Sequence, residues 1–409
     1  MFDFNTNVFR NSLFNKNVLV ACLLATGIMA CSSTDDEEVD KTLAAELTEI
    51  NQQFKPSVLW DESVGDGVSD YYSRLKPVVA YNKVFSASRN GETFAFDSET
   101  GKQVWRTDLR KNNPDAGFFS SNKSALLGGG PITGINKVFL GSENGHVFAL
   151  DADSGEIAWQ ASIKGEVITA PAIDNGTLVV NTASGILKAF NATDGEVQWK
   201  VEQDVPALTL RGISAPALAG GGAVVGSADG SLTVYILENG QQGWTVEVGE
   251  ASGSTELERV IDIDSKPLIY GDKVYTISAR GHLVALELRS GRVLWKRQYS
   301  SYRQLSVSGN TLFLTDVNGH IYAVDRHNGL ERWSQLSLTN RGVTGPAALN
   351  NYVVVGDFEG YLHWLDQESG EIVARHQVDS SGIHSTPTVA KDILYVQSRD
   401  GDLQAIKTP

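Results

Sequence analysis

The chain has 409 residues, 49 of them acidic and 34 basic, for a net charge of −15, and it holds two cysteines. That balance excludes a nucleic-acid binder, which needs clustered Lys and Arg for phosphates, and excludes electrostatic adhesion to anionic lipid. Two cysteines exclude a disulfide-stapled scaffold, and the length exceeds one ordinary core unless repeats carry it.

Residues 1–30 read as an export signal. Arg10 and Lys16 precede the apolar run VLVACLLATGIMA at 18–30, which is too short to span a bilayer comfortably and ends in small residues, as a cleaved signal does. Ile28-Met29-Ala30-Cys31 resembles the lipobox of bacterial lipoproteins, which implies that Cys31 is lipidated and becomes the N-terminus. Ser32 after it resembles lipoproteins sent on to the outer membrane. Leu19-Val20-Ala21-Cys22 fits the short pattern too, but four apolar residues ahead of Cys22 are too few for a signal core. A plain signal peptide, or an anchor never removed, is the alternative reading. Cleavage leaves 32 basic against 48 acidic side chains, or −16, and with Cys31 acylated no free thiol. The exported domain then has no disulfide, thiolate metal site or cysteine nucleophile to use.

Residues 31–56 are expected to form a lipidated acidic tether. SSTDDEEVDKTLAAELTE, at 32–49, lacks aromatics and reads as solvated chain. Membrane association should come from the acyl anchor, not from the globule.

From residue 57 to 409 one unit recurs. A glycine opens each copy, at 91, 145, 185, 230, 281, 319, 360 and 401, and a second follows ten residues later in all but the last. Tryptophan stands fourteen residues after the first glycine at 105, 159, 199, 244, 295 and 333. Proline precedes that glycine by fourteen residues in seven copies, and Leu305 takes its position in the sixth. Runs such as KVFS at 83–86 and LVVN at 178–181 are β-rich, and HVFALD at 146–151 is apolar on both faces. A strand of that kind is buried between two layers. Asp97, Asp151, Asn191, Asp325 or Asp366 starts a turn that the second glycine closes. The proline fits the first position of a strand.

Eight such units of four short strands predict an all-β fold, an eight-bladed β-propeller. The last unit runs out of chain after Gly401, and SVLWDESV at 57–64 can supply its missing strand, with Trp60 as its tryptophan. Strands from both termini then close the ring and leave no open edge. The seventh unit has Ala374 where tryptophan belongs and Trp364 where most units have alanine. Large and small have traded places, so the two positions are expected to share one packing volume. The repeated tryptophans are core residues first.

Variation is confined to the linkers between each tryptophan and the next proline, which should all emerge on one face, where binding loops sit. The longest are residues 107–130 and 245–266. Unit four has Ile236 in place of the turn aspartate and is flanked by linkers that present Leu208, Leu210 and Arg211 on one side and Asp262 and Asp264 on the other. One reading is a protein interface with an apolar centre and a charged rim. The other is that Arg211 pairs with Asp262 or Asp264 while the leucines pack between blades.

The repeat A-[LF]-[DN]-x-x-x-G-x-x-x-W resembles that of pyrroloquinoline-quinone dehydrogenases, which are also eight-bladed. Those enzymes close their quinone site with a vicinal cysteine pair, which this domain lacks. His146, His282 and His320 occupy one repeat position in different units and should be spread around the ring. The residues thus predict no enzyme and no cofactor.

Nearly the whole mature chain is similar to a second family. LTLRGISAPA at 208–217, GSTELERVIDIDSKP at 253–267, VVGDFEGYLHW at 354–364 and VDSSG at 378–382 resemble BamB, the propeller lipoproteins of the outer-membrane barrel-assembly machinery. The resemblance implies a non-catalytic periplasmic scaffold that binds the periplasmic POTRA domains of BamA and assists folding and insertion of β-barrel proteins, which are possible direct contacts. It implies Leu208, Leu210, Arg211, Asp262 and Asp264 as the BamA-contacting positions. Whether the aspartates touch BamA or hold Arg211 stays open. A quinone- or polysaccharide-binding periplasmic propeller is the alternative function.

Overall fold

Strands that are apolar on both faces need cover on both, and each blade here receives it from its two neighbours. The structure, a computed structural model, describes residues 43–71, 73–112, 123–206, 213–249 and 261–409. Among these residues are eight four-stranded antiparallel sheets, arranged as a β-propeller. Blade two shows the pattern: strands Leu127–Gly134, Lys137–Ser142, His146–Asp151 and Ile157–Ser162, from axis to rim. Val147, Phe148, Ala149 and Leu150 in its third strand are all fully buried. In its rim strand Trp159 is the one buried residue. The turn between them closes as its residues require. Asp151 Oδ1 accepts from the amides of Asp153 (3.0 Å) and Ser154 (2.9 Å), and Gly155 N donates to Asp151 O (2.9 Å). The Ser154 hydrogen bonds hold the Asp151 carboxyl below its ordinary range.

The tryptophans and second glycines turn out to be two halves of one joint. Trp159 Nε1 donates to Ala192 O of blade three (3.0 Å), and Trp105 Nε1 donates to Ala152 O of blade two (3.1 Å). Each indole lies on the second glycine of the next blade. At Gly195, φ is +79° and an added Cβ would stand 2.7 Å from Trp159, so both the backbone and the close approach demand glycine.

Blade eight is completed as expected: Ser57–Ser63 pairs antiparallel with Asp402–Lys407, and Trp60 faces Ala405. Trp60 Nε1 donates to Ser98 O of blade one (3.2 Å), which carries the joint across the closure. In blade seven Trp364 and Ala374 are direct cross-strand partners, as Ala149 and Trp159 are in blade two. The traded residues do share one volume. Trp364 is fully buried and donates to Thr408 Oγ1 (3.0 Å), because blade eight has no second turn for a rim tryptophan to cover.

Two details differ from the sequence expectation. The proline stands just before the innermost strand, as Pro77 before Val78–Ala80, while Pro131 lies inside Leu127–Gly134. The innermost strand pairs on one side alone, so a missing N–H at its start leaves no ladder incomplete. Residues 43–56, the described part of the tether segment, lie against blades six and seven. Ala45 N donates to Thr339 O (2.9 Å) and Gln53 N to Val373 O (2.8 Å), while Arg375 Nη1 donates to Thr48 O (3.1 Å). Phe54 packs on Tyr352 (4.9 Å between centroids) and edge-on to Trp364 (6.4 Å), beside the small Ala374. Beneath this strap, Arg341 Nε donates to the fully buried Asp357 (2.9 Å), and Arg341 Nη1 to Ala45 O (2.9 Å).

Candidate functional site

Every linker returns to the axis just ahead of an innermost strand, so residues preceding the repeat prolines meet there whatever their distance in sequence. Asp262 and Asp264 belong to this set. Both are interior, 1% and 4% exposed, with Ile263 between them at 1%. Their backbone joins blades four and five: Ala279 N donates to Asp262 O (2.8 Å) and Ile263 N to Ser227 O (3.2 Å). Ser214 Oγ, ahead of blade four, donates to Ser265 O (3.1 Å). Leu208, Leu210, Arg211 and the candidate anchor Cys31 lie outside the described residues.

The cation that faces Asp264 is Arg74, which the sequence reading did not single out. It comes from the linker ahead of blade one and reaches across the axis, where Nη1 donates to Ile213 O (2.8 Å) and Asp264 O (2.9 Å). Lys76 follows the same path to blade six, with Nζ donating to Gln304 Oε1 (3.0 Å). Burial pushes the Asp264 carboxyl up to about 6; Arg74 opposes this and Asp262 reinforces it.

Around these residues is an axial cavity of about 280 Å³, with Lys266, Arg303 and His384 on its wall beside Arg74, Lys76 and Asp264. Burial, then the charge of Lys266, brings Lys76 down to about 8, and burial lowers Lys266 itself. His384 falls to about 4 through burial and the nearby Arg399 and Arg303. A signal for this cluster existed in the repeat. Lys76 and Lys266 each stand one residue before a repeat proline, and His384 three before Pro387. Equivalent positions in a ring of blades converge on its axis.

His146 and His282 open the third strands of blades two and five, and His320 stands just ahead of the third strand of blade six. Among the described residues no three His, Cys, Asp or Glu side chains are grouped to hold a metal.

The family model described as "Outer membrane protein assembly factor BamB" matches residues 52–117, 119–335 and 331–408. The outer membrane protein assembly factor BamB of Shewanella oneidensis is 45% identical over 394 residues, which span 96% of this chain and 99% of that one. The crystal structure of BamB from Moraxella catarrhalis superposes with a TM-score of 0.76 at 24% identity, over 87% of this chain and 100% of that one. A quinohemoprotein alcohol dehydrogenase from Comamonas testosteroni superposes with a TM-score of 0.65 at 13% identity, over 86% of this chain and 76% of that one. At such identities the likeness is of fold alone.

Proposed function

The chain belongs to the BamB family of outer membrane protein assembly factors, and on that premise we propose that it is a non-catalytic scaffold held to the outer membrane by acyl chains on Cys31. It faces the periplasm and binds the periplasmic domains of BamA, through which it joins the barrel-assembly complex. The contact surface is the linker face at the junction of blades four and five. Leu208, Leu210 and Arg211 make the contact, while Asp262 and the backbone of Asp264 act from inside by bracing the junction.

The observation that carries this reading is the deep burial of residues 262–265 together with their backbone bonds to Ser227, Ala279 and Ser214. A segment tied to both blades is a rigid seat for neighbouring loops, and loops on rigid seats lose less freedom on binding. The linker that carries Arg211 ends at Ser214 on that same seat.

The test is binding of a soluble form starting at Ser32 to isolated BamA periplasmic domains, with Arg211→Glu and Asp262→Asn measured in parallel. Arg211→Glu abolishes binding at an unchanged melting temperature, whereas Asp262→Asn lowers both. Equal binding by wild type and Arg211→Glu would remove this interface, and no binding by wild type would remove the partner.

A further inference from the structure

The protein carries a net charge of −15, yet its axial cavity concentrates the opposite sign. Arg74, Lys76, Lys266 and Arg303 share the wall with one carboxylate, Asp264, and with His384, which its lowered pKa of about 4 leaves neutral. Their bonds do not neutralise them. Arg74 donates to two backbone carbonyls and Lys76 to a side-chain amide. The Arg303 guanidinium lies over Tyr302, 4.6 Å from its centroid, and reaches Gly342 O at 3.5 Å. Among the described residues neither Lys76, Lys266 nor Arg303 has an ion pair, and Lys266, which lines the cavity, has no side-chain hydrogen bond.

Like charges gathered in a half-enclosed space repel, and Lys76, Lys266 and Arg303 remain there without a paired counter-charge unless one binds. Burial weakens the anionic form of Asp264, the one fixed carboxylate at hand. A cluster of this kind in a purely structural role is costly, because cations ordinarily leave such a wall or acquire acidic partners. The cavity lies at the small end of ligand pockets, which run from roughly 300 to 1,000 Å³. It suits a compact molecule more than a polypeptide segment.

We infer that the axial cavity is a binding site for a small multivalent oxyanion, a carboxylate or phosphate compound held by Lys76, Lys266 and Arg303. The ammonium groups act as point charges and the guanidinium offers a planar fork for two oxygens. Arg74, tied to blades four and five, holds the floor in position. The cations that hold the anion are not the residues proposed to contact BamA, so each binding is tested by its own variants.

Citrate and pyrophosphate are titrated calorimetrically into the full chain in detergent, against sodium chloride of matched ionic strength. At least one binds, and Lys266→Gln/Arg303→Gln weakens it tenfold or more. Citrate alone identifies a carboxylate ligand and pyrophosphate alone a phosphate ligand. Wild-type protein offers a second readout, acylation of Lys76 by an amine reagent near pH 8. A bound anion that raises the Lys76 pKa by one unit leaves roughly a tenth of the amine neutral instead of half, and slows labelling about fivefold. No binding of either anion beyond the salt control overturns the inference. So do equal binding by the double variant and Lys76 labelling that saturating anion leaves unchanged.

Discussion

The rim and the axis of this ring are built from the same repeat and use it in opposite ways. At the rim one joint recurs: a tryptophan from one blade covers a glycine of the next and donates to a carbonyl beside it, as at Trp105, Trp159, Trp199 and Trp333. At the axis, equivalent positions hold different residues, with Arg74 and Lys76 from blade one, Asp264 and Lys266 from blade five, and His384 from blade eight. Repetition at the rim makes the architecture, because the same joint between seven of the eight pairs of neighbouring blades builds a regular ring. Difference at the axis makes a site, because unlike side chains are brought to one place by that ring.

The sharpest way to break the comparison is to remove one rim joint. Trp159→Ala takes a side chain 8% exposed from the contact of blades two and three, and should lower stability by about 3–5 kcal/mol in urea unfolding. A loss below about 1 kcal/mol would mean that the joint is decoration.

The traded pair in blade seven sharpens the same point. Trp364→Ala should cost a comparable amount, and adding Ala374→Trp should restore less than half. Phe54 already lies beside that position, and blade eight offers no second glycine to receive the indole. Full restoration in the double variant would make the two positions interchangeable and the strap irrelevant.

At the axis the expected sign is reversed. The folded pKa of Asp264, about 6, lies above the ordinary 3.8. Its contribution is therefore fully present below pH 3.8 and is lost as pH rises through 6. Two units correspond to roughly 3 kcal/mol as an upper bound. Asp264→Asn should stabilise the protein at pH 7.5 by up to that amount, and the gain should disappear by pH 4. His384, lowered to about 4 from 6.5, contributes stability above pH 6.5 that is lost as pH falls through 4. The two opposed slopes offset each other in wild type, and His384→Gln exposes the Asp264 slope in the same titration. A site residue whose removal stabilises the fold is what separates the axis from the rim.

The smallest effect belongs to the rim again. Thr107 Oγ1 donates to Gly155 O (2.6 Å) beside the Trp105 joint. Thr107→Val should cost about 0.5–1.5 kcal/mol, in the range of a single hydrogen bond, by the same unfolding assay.

The rim was legible before any coordinates. Spacing of glycine and tryptophan marked the units, the unfinished unit after Gly401 pointed to SVLWDESV, and the exchange of Trp364 with Ala374 identified a shared volume. These are short-range facts, since each joint involves adjacent blades and a fixed count of residues. What the spacing did not say is that tryptophan and second glycine touch each other across blades. The linkers are legible as variable and as sharing one face, but not in what they bury. Asp262 and Asp264 are rim charges of an exposed patch on one sequence reading and internal partners of Arg211 on the other, and the structure buries both together with Ile263 between them. Lys76, Lys266 and His384 carry no motif beyond their place ahead of a proline.

The sequence by itself therefore determined the number of blades, the closure by both termini and the joint that repeats between neighbours, because these depend on period and volume along the chain. Tertiary structure alone decided which side chains meet across the axis and that three of them, Lys76, Lys266 and Arg303, are cations without an ion-pair partner among the described residues. Residues 74, 266 and 384 come together there because every blade points its first strand at one axis, and no local pattern encodes what lies opposite.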